Sequence, residues 1–435
     1  MERKTAEELL TFIAQSPSCF HAVQSITDIL DQNGFQRLSE CQQWSLKPGK
    51  YYVTRNLSSV AAFLIPGHNF TNFQIIACHS DSPTFKIKEH GEIVVDHAYT
   101  KLNTEVYGGM LYAPWFDRPL SIAGRILVLD GTNLATKLVN IDRDLLVIPN
   151  LSIHMNREIN SGYTYNAQKD LLPLFGSENA KGRLMEIIAK SAGVSRDSIA
   201  GSDLFLYNRM GGTIWGADNE FLSAPRLDDL QCTFAALKGF LRTENPDCVS
   251  LFTVFDNEEV GSSTKQGAAS PFLNDVLRRI NRSSGADEET LCARLASSFM
   301  VSADNAHGVH PNHPDKSDPE NRVYLNHGIV IKYNANQKYT TDGVSSAVFN
   351  TICERAKIPC QAFTNRSDMA GGSTLGSISN TKTAMNTIDI GLAQLAMHSP
   401  YETGGVRDTH FMASAAEAFY NARISCEADG VYAVH

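Results

Sequence analysis

Three carboxylates fall within four residues, Asp256, Glu258 and Glu259, directly after the apolar run Leu251-Phe252-Thr253-Val254-Phe255. Neighbouring carboxylates repel one another, so at the end of a buried strand they require a cation, a proton or a hydrogen-bond network. A solvated acidic loop is the plainer reading of such a run. Other segments supply partners for the charge: His79, Asp228, Asp304 and His398 each follow an apolar run or open a helical pattern. Two histidines with three carboxylates form a nitrogen and oxygen donor set suited to zinc, manganese or cobalt, rather than to calcium or a thiolate cluster. Five side chains serve two metals when one carboxylate bridges them, an arrangement that hydrolytic enzymes use at a spacing of roughly 3.5 to 4 Å. One member of the Glu258-Glu259 pair then binds metal and the other acts as a base. Taken singly, each residue has an ordinary use: His79 as a hydrogen-bonded core histidine, Asp228 as a helix cap, Asp304 as part of a polar loop with His307 and His310. Five such residues at strand ends favour the metal reading.

The elements that must position them alternate in type. Two amphipathic helices up to about Asn33 are expected, separated by Ser16-Pro17-Ser18, followed by strands at Tyr52-Val53-Thr54, Val60–Ile65 and Phe73–Ala77. From about Glu92 to Leu222 the pattern changes to short strand-like pieces broken by turn residues, a β-rich unit inserted into the first. Leu151-Ser152-Ile153-His154 within it reads as a further strand end. After Pro225 the α/β alternation resumes, with helices from Asp229, Pro271 and Ser345, and strands at Ser298–Ala303, Ile329–Tyr333 and Asn386–Leu392. A closing helix spans Asp408 to Arg423. The expected fold is therefore α/β: a discontinuous catalytic domain (1–91 and 223–435) with a mixed sheet flanked by helices, interrupted by a smaller β-rich domain (92–222). Open sheets of this type hold ligands at the carboxyl ends of their strands, where the five residues lie.

Composition narrows the setting. The chain has 435 residues, more than one hydrophobic core usually holds. A net charge of -9, without a basic stripe, argues against nucleic acid, and no apolar run has the length of a membrane span. The nine cysteines form no CxxC pair, which points to reduced thiols in a cytoplasmic protein.

The motifs together resemble those of the aspartyl aminopeptidase family over essentially the whole length. The resemblance rests on Ala77-Cys78-His79-Ser80-Asp81-Ser82-Pro83, Trp115-Phe116-Asp117-Arg118, Ile153-His154, Pro225-Arg226-Leu227-Asp228, Phe255-Asp256-Asn257-Glu258-Glu259-Val260-Gly261-Ser262, Ser302-Ala303-Asp304, His307, His310-Pro311-Asn312 and Gln394-Leu395-Ala396-Met397-His398-Ser399. It implies two divalent metal ions per chain, zinc first, with manganese or cobalt as alternatives. His79 and Asp304 would be terminal ligands of one metal, Glu259 and His398 of the other, and Asp228 the bridge. Glu258 would be the general base, and Asp81 would orient His79 through the ring nitrogen that does not bind metal. His154 would reach the site of a neighbouring subunit in a homo-oligomer, a dodecamer built from dimers of the inserted domain. Lys332, a charge in an otherwise apolar strand, would read an acidic substrate side chain, and Asp368, Met369 and Gly371 would belong to a substrate-binding loop.

The implied reaction is hydrolysis of the N-terminal peptide bond of peptides beginning with Asp or Glu. Two other classes fit parts of the pattern. Another dinuclear hydrolase, a deacylase or an aminopeptidase for neutral residues, needs the five ligands but not Lys332. A non-catalytic self-assembling carrier needs neither ligands nor base, and neither is missing here.

Overall fold

The computed structural model describes residues 1–435. Two helices, Glu2–Gln15 and Cys19–Gln32, open the chain and break at Ser16-Pro17-Ser18 as expected. A thirteen-stranded mixed sheet then organises most of the molecule. Four adjacent parallel strands form its centre, in the order Val249–Phe255, Phe73–His79, Phe299–Ala303 and Asn386–Leu395. Antiparallel strands extend the sheet on both sides, with Ser59–Ile65 against Val249–Phe255 and Ile329–Tyr333 against Asn386–Leu395.

Strand alternation explains why the centre of this sheet is apolar throughout. Successive side chains point to opposite faces, and here both faces are covered by helices. Phe73, Ile75 and Ala77 enter one core with Phe272, Val276 and Leu277 of the helix Phe272–Ser283. Ile76 and Cys78 enter the other core, with Phe240 and Phe419 of the helices Leu227–Phe240 and Asp408–Asn421. Polar side chains can then gather only where the strands end.

A second sheet of six strands, all antiparallel, interrupts the first between Phe73–His79 and Thr213–Trp215. It runs from Thr84 to Asn208, and Leu184 and Ile188 of a short helix close its own core. Its limits differ from the expected 92–222. The strand Thr84–Val95 starts only five residues after His79 and belongs wholly to the second sheet, while Thr213–Trp215 and Phe221–Ala224 pair within the large one. The turn residues around Gly211, Gly212 and Gly216 hid that return from a reading of texture.

Two further expectations are corrected. Leu151–His154 is not a strand; the stretch is turn and coil, with Leu151 53% and Ile153 49% exposed, because no neighbouring strand offers it a partner. The chain also does not close on a helix, since the hairpin Ile424–Ala428 with Val431–Val434 follows Asp408–Asn421.

Candidate metal centre

The parallel register places the expected ligands side by side. His79 ends the central strand Phe73–His79, Glu258 and Glu259 form a 3-10 turn just after its neighbour Val249–Phe255, and Asp304 follows Phe299–Ala303 on the other side. His398 lies three residues beyond Asn386–Leu395, the next parallel strand. Asp228 comes from the first turn of Leu227–Phe240, where its backbone is not helical (φ -79°, ψ 108°) and the Asp228-Asp229 peptide is cis.

Asp228 stands between the two histidines. Its Oδ1 lies 3.3 Å from His79 Nε2, and its Oδ2 lies 3.4 Å from His398 Nε2. His79 Nε2 is also 3.8 Å from Asp304 Oδ1, and His398 Nε2 is 3.3 Å from Glu259 Oε2. Donors bound at about 2.0 to 2.1 Å around a tetrahedral zinc lie roughly 3.3 to 3.4 Å apart, so these separations fit a cation on each side of Asp228. Asp228 Oδ1 and Glu259 Oε1 are buried without a hydrogen-bond partner, the condition expected of atoms meant for a metal. All five residues thus converge, and their ligand atoms fall into groups spanning no more than 4.8 Å.

The electrostatics describe the same cluster. Burial alone pulls His79 down, but Asp228, Asp304 and Asp81 outweigh it and raise its pKa well above the usual histidine value. Burial raises Asp228, yet His398 and His79 beside it hold it far below the ordinary carboxylate range. Burial, reinforced by the Asp228 charge, lifts Glu259 well above its usual value. Glu258 is pushed up to about 8, first by burial and then by Asp304, Asp81 and Asp228. So much carboxylate in so little water is costly unless cations share the space.

Surrounding groups fix these side chains. His79 Nδ1 faces the backbone carbonyl of Asp81 at 3.1 Å, and the Asp81 carboxylate lies farther off at 3.5 Å. A carbonyl can only accept, so Nδ1 carries a proton and Nε2 faces the cluster, where a bound cation would displace any proton from it. The Asp81 carboxylate does a second task that its sequence position did not announce. It accepts the backbone N–H groups of Glu258 (3.1 Å) and Glu259 (3.2 Å) and the Tyr107 hydroxyl (2.7 Å), tying the turn to the His79 strand end and to the inserted sheet. Asp229 Oδ2 accepts the His79 N–H at 3.2 Å. Asp256, buried, accepts the Asn257 N–H at 2.7 Å and shapes the turn. Sequence reasoning missed Glu402. It is buried and pushed up to about 8 by burial and the Asp228 charge, against which its two N–H donors from Asp228 and His398 act. The only signal was an acidic residue four positions after His398.

The remaining expected residues are less converged. Lys332 is 3% exposed and pairs through Nζ with Asp304 Oδ2 at 3.3 Å, beside the Tyr339 ring. His307, to which the sequence gave no role, is exposed, yet the groups packed around it and then the Lys332 charge lower its pKa. Asp368 and Met369 are exposed, and Asp368 pairs with Arg366 at 2.7 Å rather than with the cluster. The Gly371 carbonyl accepts Lys338 Nζ at 2.8 Å, next in sequence to Tyr339. His154 is exposed and makes no contact with the ligands of its own chain.

Residues 12–420 match the family described as Aminopeptidase I zinc metalloprotease (M18). The chain belongs to the M18 family. It is 48% identical over 430 residues to a probable M18 family aminopeptidase 2 of Clostridium acetobutylicum, spanning 97% of this chain and 99% of the relative. It is 38% identical over 430 residues, with the same coverage, to a protein of the same description from Pseudomonas aeruginosa. Among solved structures, the cryo-EM structure of the Ape4 and Nbr1 complex superposes with a TM-score of 0.93 at 35% identity, covering 97% of this chain and 86% of that one. The mApe1 dodecamer of S. cerevisiae superposes with a TM-score of 0.85 at 29% identity, covering 96% of each chain. This M18 chain is accordingly a zinc metallo-aminopeptidase, and its buried cluster of histidines and carboxylates is able to hold metal. No helix is long and apolar enough to cross a membrane.

Proposed function

We propose that this M18 aminopeptidase removes N-terminal Asp or Glu from peptides at a site holding two zinc ions. The observation that carries the two-metal reading is Asp228, one of whose carboxylate oxygens faces His79 and the other His398. His79 and Asp304 complete one side, Glu259 and His398 the other. Zinc bound there supplies a Lewis acid and lowers the pKa of water.

The chain's own residues perform the proton work and the positioning. Glu258, next to a ligand but not required as one, takes a proton from the attacking water and returns it to the leaving amine. Its carboxyl is raised among carboxylates, and cations at the five ligands would bring it down towards the range of a base active near neutral pH. Asp81 holds the Glu258 and Glu259 amides, so base and ligand keep a fixed separation. Lys332 offers a cation to the acidic side chain of the substrate, flanked by Tyr339 and by the loop of Asp368, Met369 and Gly371. His154, exposed on the inserted unit, reaches the site of another subunit and donates to the developing oxyanion. That role requires a homo-oligomer, which we take to be a dodecamer on the likeness to the Ape1 assembly, with the inserted sheet as the dimerisation unit. The nine free cysteines, five of them buried, suit a reducing cytoplasm.

One observation favours a neutral-substrate reading instead: Lys332 is already paired with Asp304 and buried, as a residue that only tunes a ligand would be. A rate comparison of Asp-, Glu-, Leu- and Lys-terminal dipeptides, after reconstitution with zinc, manganese and cobalt, separates the two readings. Acidic dipeptides turned over at least about tenfold faster in kcat/KM, about 1.4 kcal/mol of discrimination, are expected. Faster cleavage of the Leu dipeptide refutes acidic specificity, and an unchanged preference in Lys332→Met removes Lys332 as its reader.

A further inference from the structure

Glu402 opens the strand Glu402–Gly405, which lies between Phe221–Ala224 and Asn386–Leu395 at the edge of the metal cluster. Glu402 is 2% exposed, and both of its carboxylate oxygens go to backbone N–H groups. Oε2 accepts the N–H of Asp228 at 3.0 Å, and Oε1 accepts the N–H of His398 at 2.7 Å. One carboxylate therefore spans the main chain of two ligands that are 170 residues apart in sequence (398 minus 228).

Neither ligand is held by regular structure. Asp228 has extended backbone inside the first turn of a helix, and His398 has φ 65° in a turn. Such termini leave N–H groups without ladder partners, and a buried N–H left unpaired is costly. Because both Glu402 oxygens are engaged, it belongs to none of the groups able to hold a metal. A buried carboxyl with both oxygens engaged in this way serves to fix the distance between its two donors.

We infer that Glu402 is a positioning residue that sets the separation of Asp228 and His398, and so the geometry of the zinc pocket formed by Asp228, Glu259 and His398. This rests on the ligand assignment made above. A glutamine at 402 keeps the size but has one acceptor oxygen, so one of the two N–H groups would face an NH₂ group. An aspartate keeps the carboxyl group and both acceptors on a shorter arm.

The test measures zinc affinity at each site by chelator competition, together with kcat and KM at saturating zinc, for wild type, Glu402→Gln, Glu402→Asp and His398→Gln. Glu402→Gln is expected to weaken the zinc site of Asp228, Glu259 and His398 about 10- to 100-fold, and the site of His79 and Asp304, which shares only Asp228 with it, by less. Its kcat should fall more than its KM rises, and Glu402→Asp should recover part of both. Unchanged affinity at both sites in folded Glu402→Gln overturns the inference, as does weakening confined to the site of His79 and Asp304. His398→Gln keeps the two failures apart: if it still binds two zinc ions with wild-type affinities, the ligand assignment fails rather than the role of Glu402. Hydrogen exchange on the wild-type protein covers the case in which the variants do not fold. The Asp228 and His398 amides should exchange slowly, and rapid exchange at both overturns the inference.

Discussion

The strand ends of the large sheet and the turn carrying His154 in the second sheet are both places where a histidine is offered for chemistry, yet they are built in opposite ways. His79 is 1% exposed, ends a parallel strand, and has both ring nitrogens engaged. His154 sits in turn and coil beside exposed Leu151, Ile153 and Met155, the last 75% exposed. A group that must hold a metal is fixed by burial and by neighbours that satisfy its other atoms. A group without partners in its own chain, among apolar side chains left in water, is fixed only if another chain covers it. The large sheet thus gathers its donors within one chain, and the second unit leaves His154 exposed with no partner in its own chain.

The largest expected effect tests the completeness of the first region. Glu258→Gln should lower kcat about 10³- to 10⁴-fold while zinc content, read by elemental analysis, stays at the wild-type value. Loss of zinc together with activity would make Glu258 a ligand instead. Asp228→Asn should release zinc from both sides of the cluster, measured as stoichiometry after dialysis, because the bridging position serves both; a variant that keeps full zinc breaks the bridge assignment. His154→Ala should cost roughly 10²-fold in kcat, leave the melting temperature within about a degree, and be complemented when mixed oligomers combine it with Glu258→Gln. Without complementation, His154 acts within its own chain or not at all.

The smallest effect sharpens the junction between the regions. Helix Cys19–Gln32 lies there, with Phe20 near Phe205 and under the Arg125 guanidinium, and with His21 near Arg226. Burial, and then Arg226, lower His21 from 6.5 to about 4. Between those values the unfolded chain binds a proton that the folded chain does not. Stability from this group is therefore full above about pH 6.5 and is lost as pH falls towards 4. The loss is roughly 2 kcal/mol after allowance for partial exposure, so between pH 7 and 4.5 the unfolding free energy from denaturant melts should fall by about that much more in wild type than in His21→Asn. A His21→Asn curve parallel to wild type would remove His21 as the cause.

Much of the catalytic region was legible because the required patterns are local. A run such as Phe73–His79 can only be a strand buried on both faces, and a histidine at its end stands out against that background. The same logic found Glu259 after Val249–Phe255 and Asp304 after Phe299–Ala303. The bounds of the inserted sheet were misplaced because its strands pair across distances that no local pattern encodes. His154 was misread as a strand end because Leu151 and Ile153 alternate with polar residues, as a half-buried strand does, although nothing in the chain pairs with them. Glu402 was invisible for another reason: its partners are backbone N–H groups, which every residue carries, so no residue type at 228 or 398 reveals the contact.

The sequence by itself determined the residue types and the strand ends that carry them, since apolar alternation and the chemistry of histidine and carboxylate are written residue by residue. Only the tertiary structure decided the order of the four parallel strands, which sets His79 between Glu259 and Asp304. It also turned Asp228 so that each oxygen faces a different histidine, and gave Asp81 and Glu402 the backbone amides they hold. These are distances between segments as much as 225 residues apart (304 minus 79), and hydrogen-bond geometry exists only once packing has brought them together.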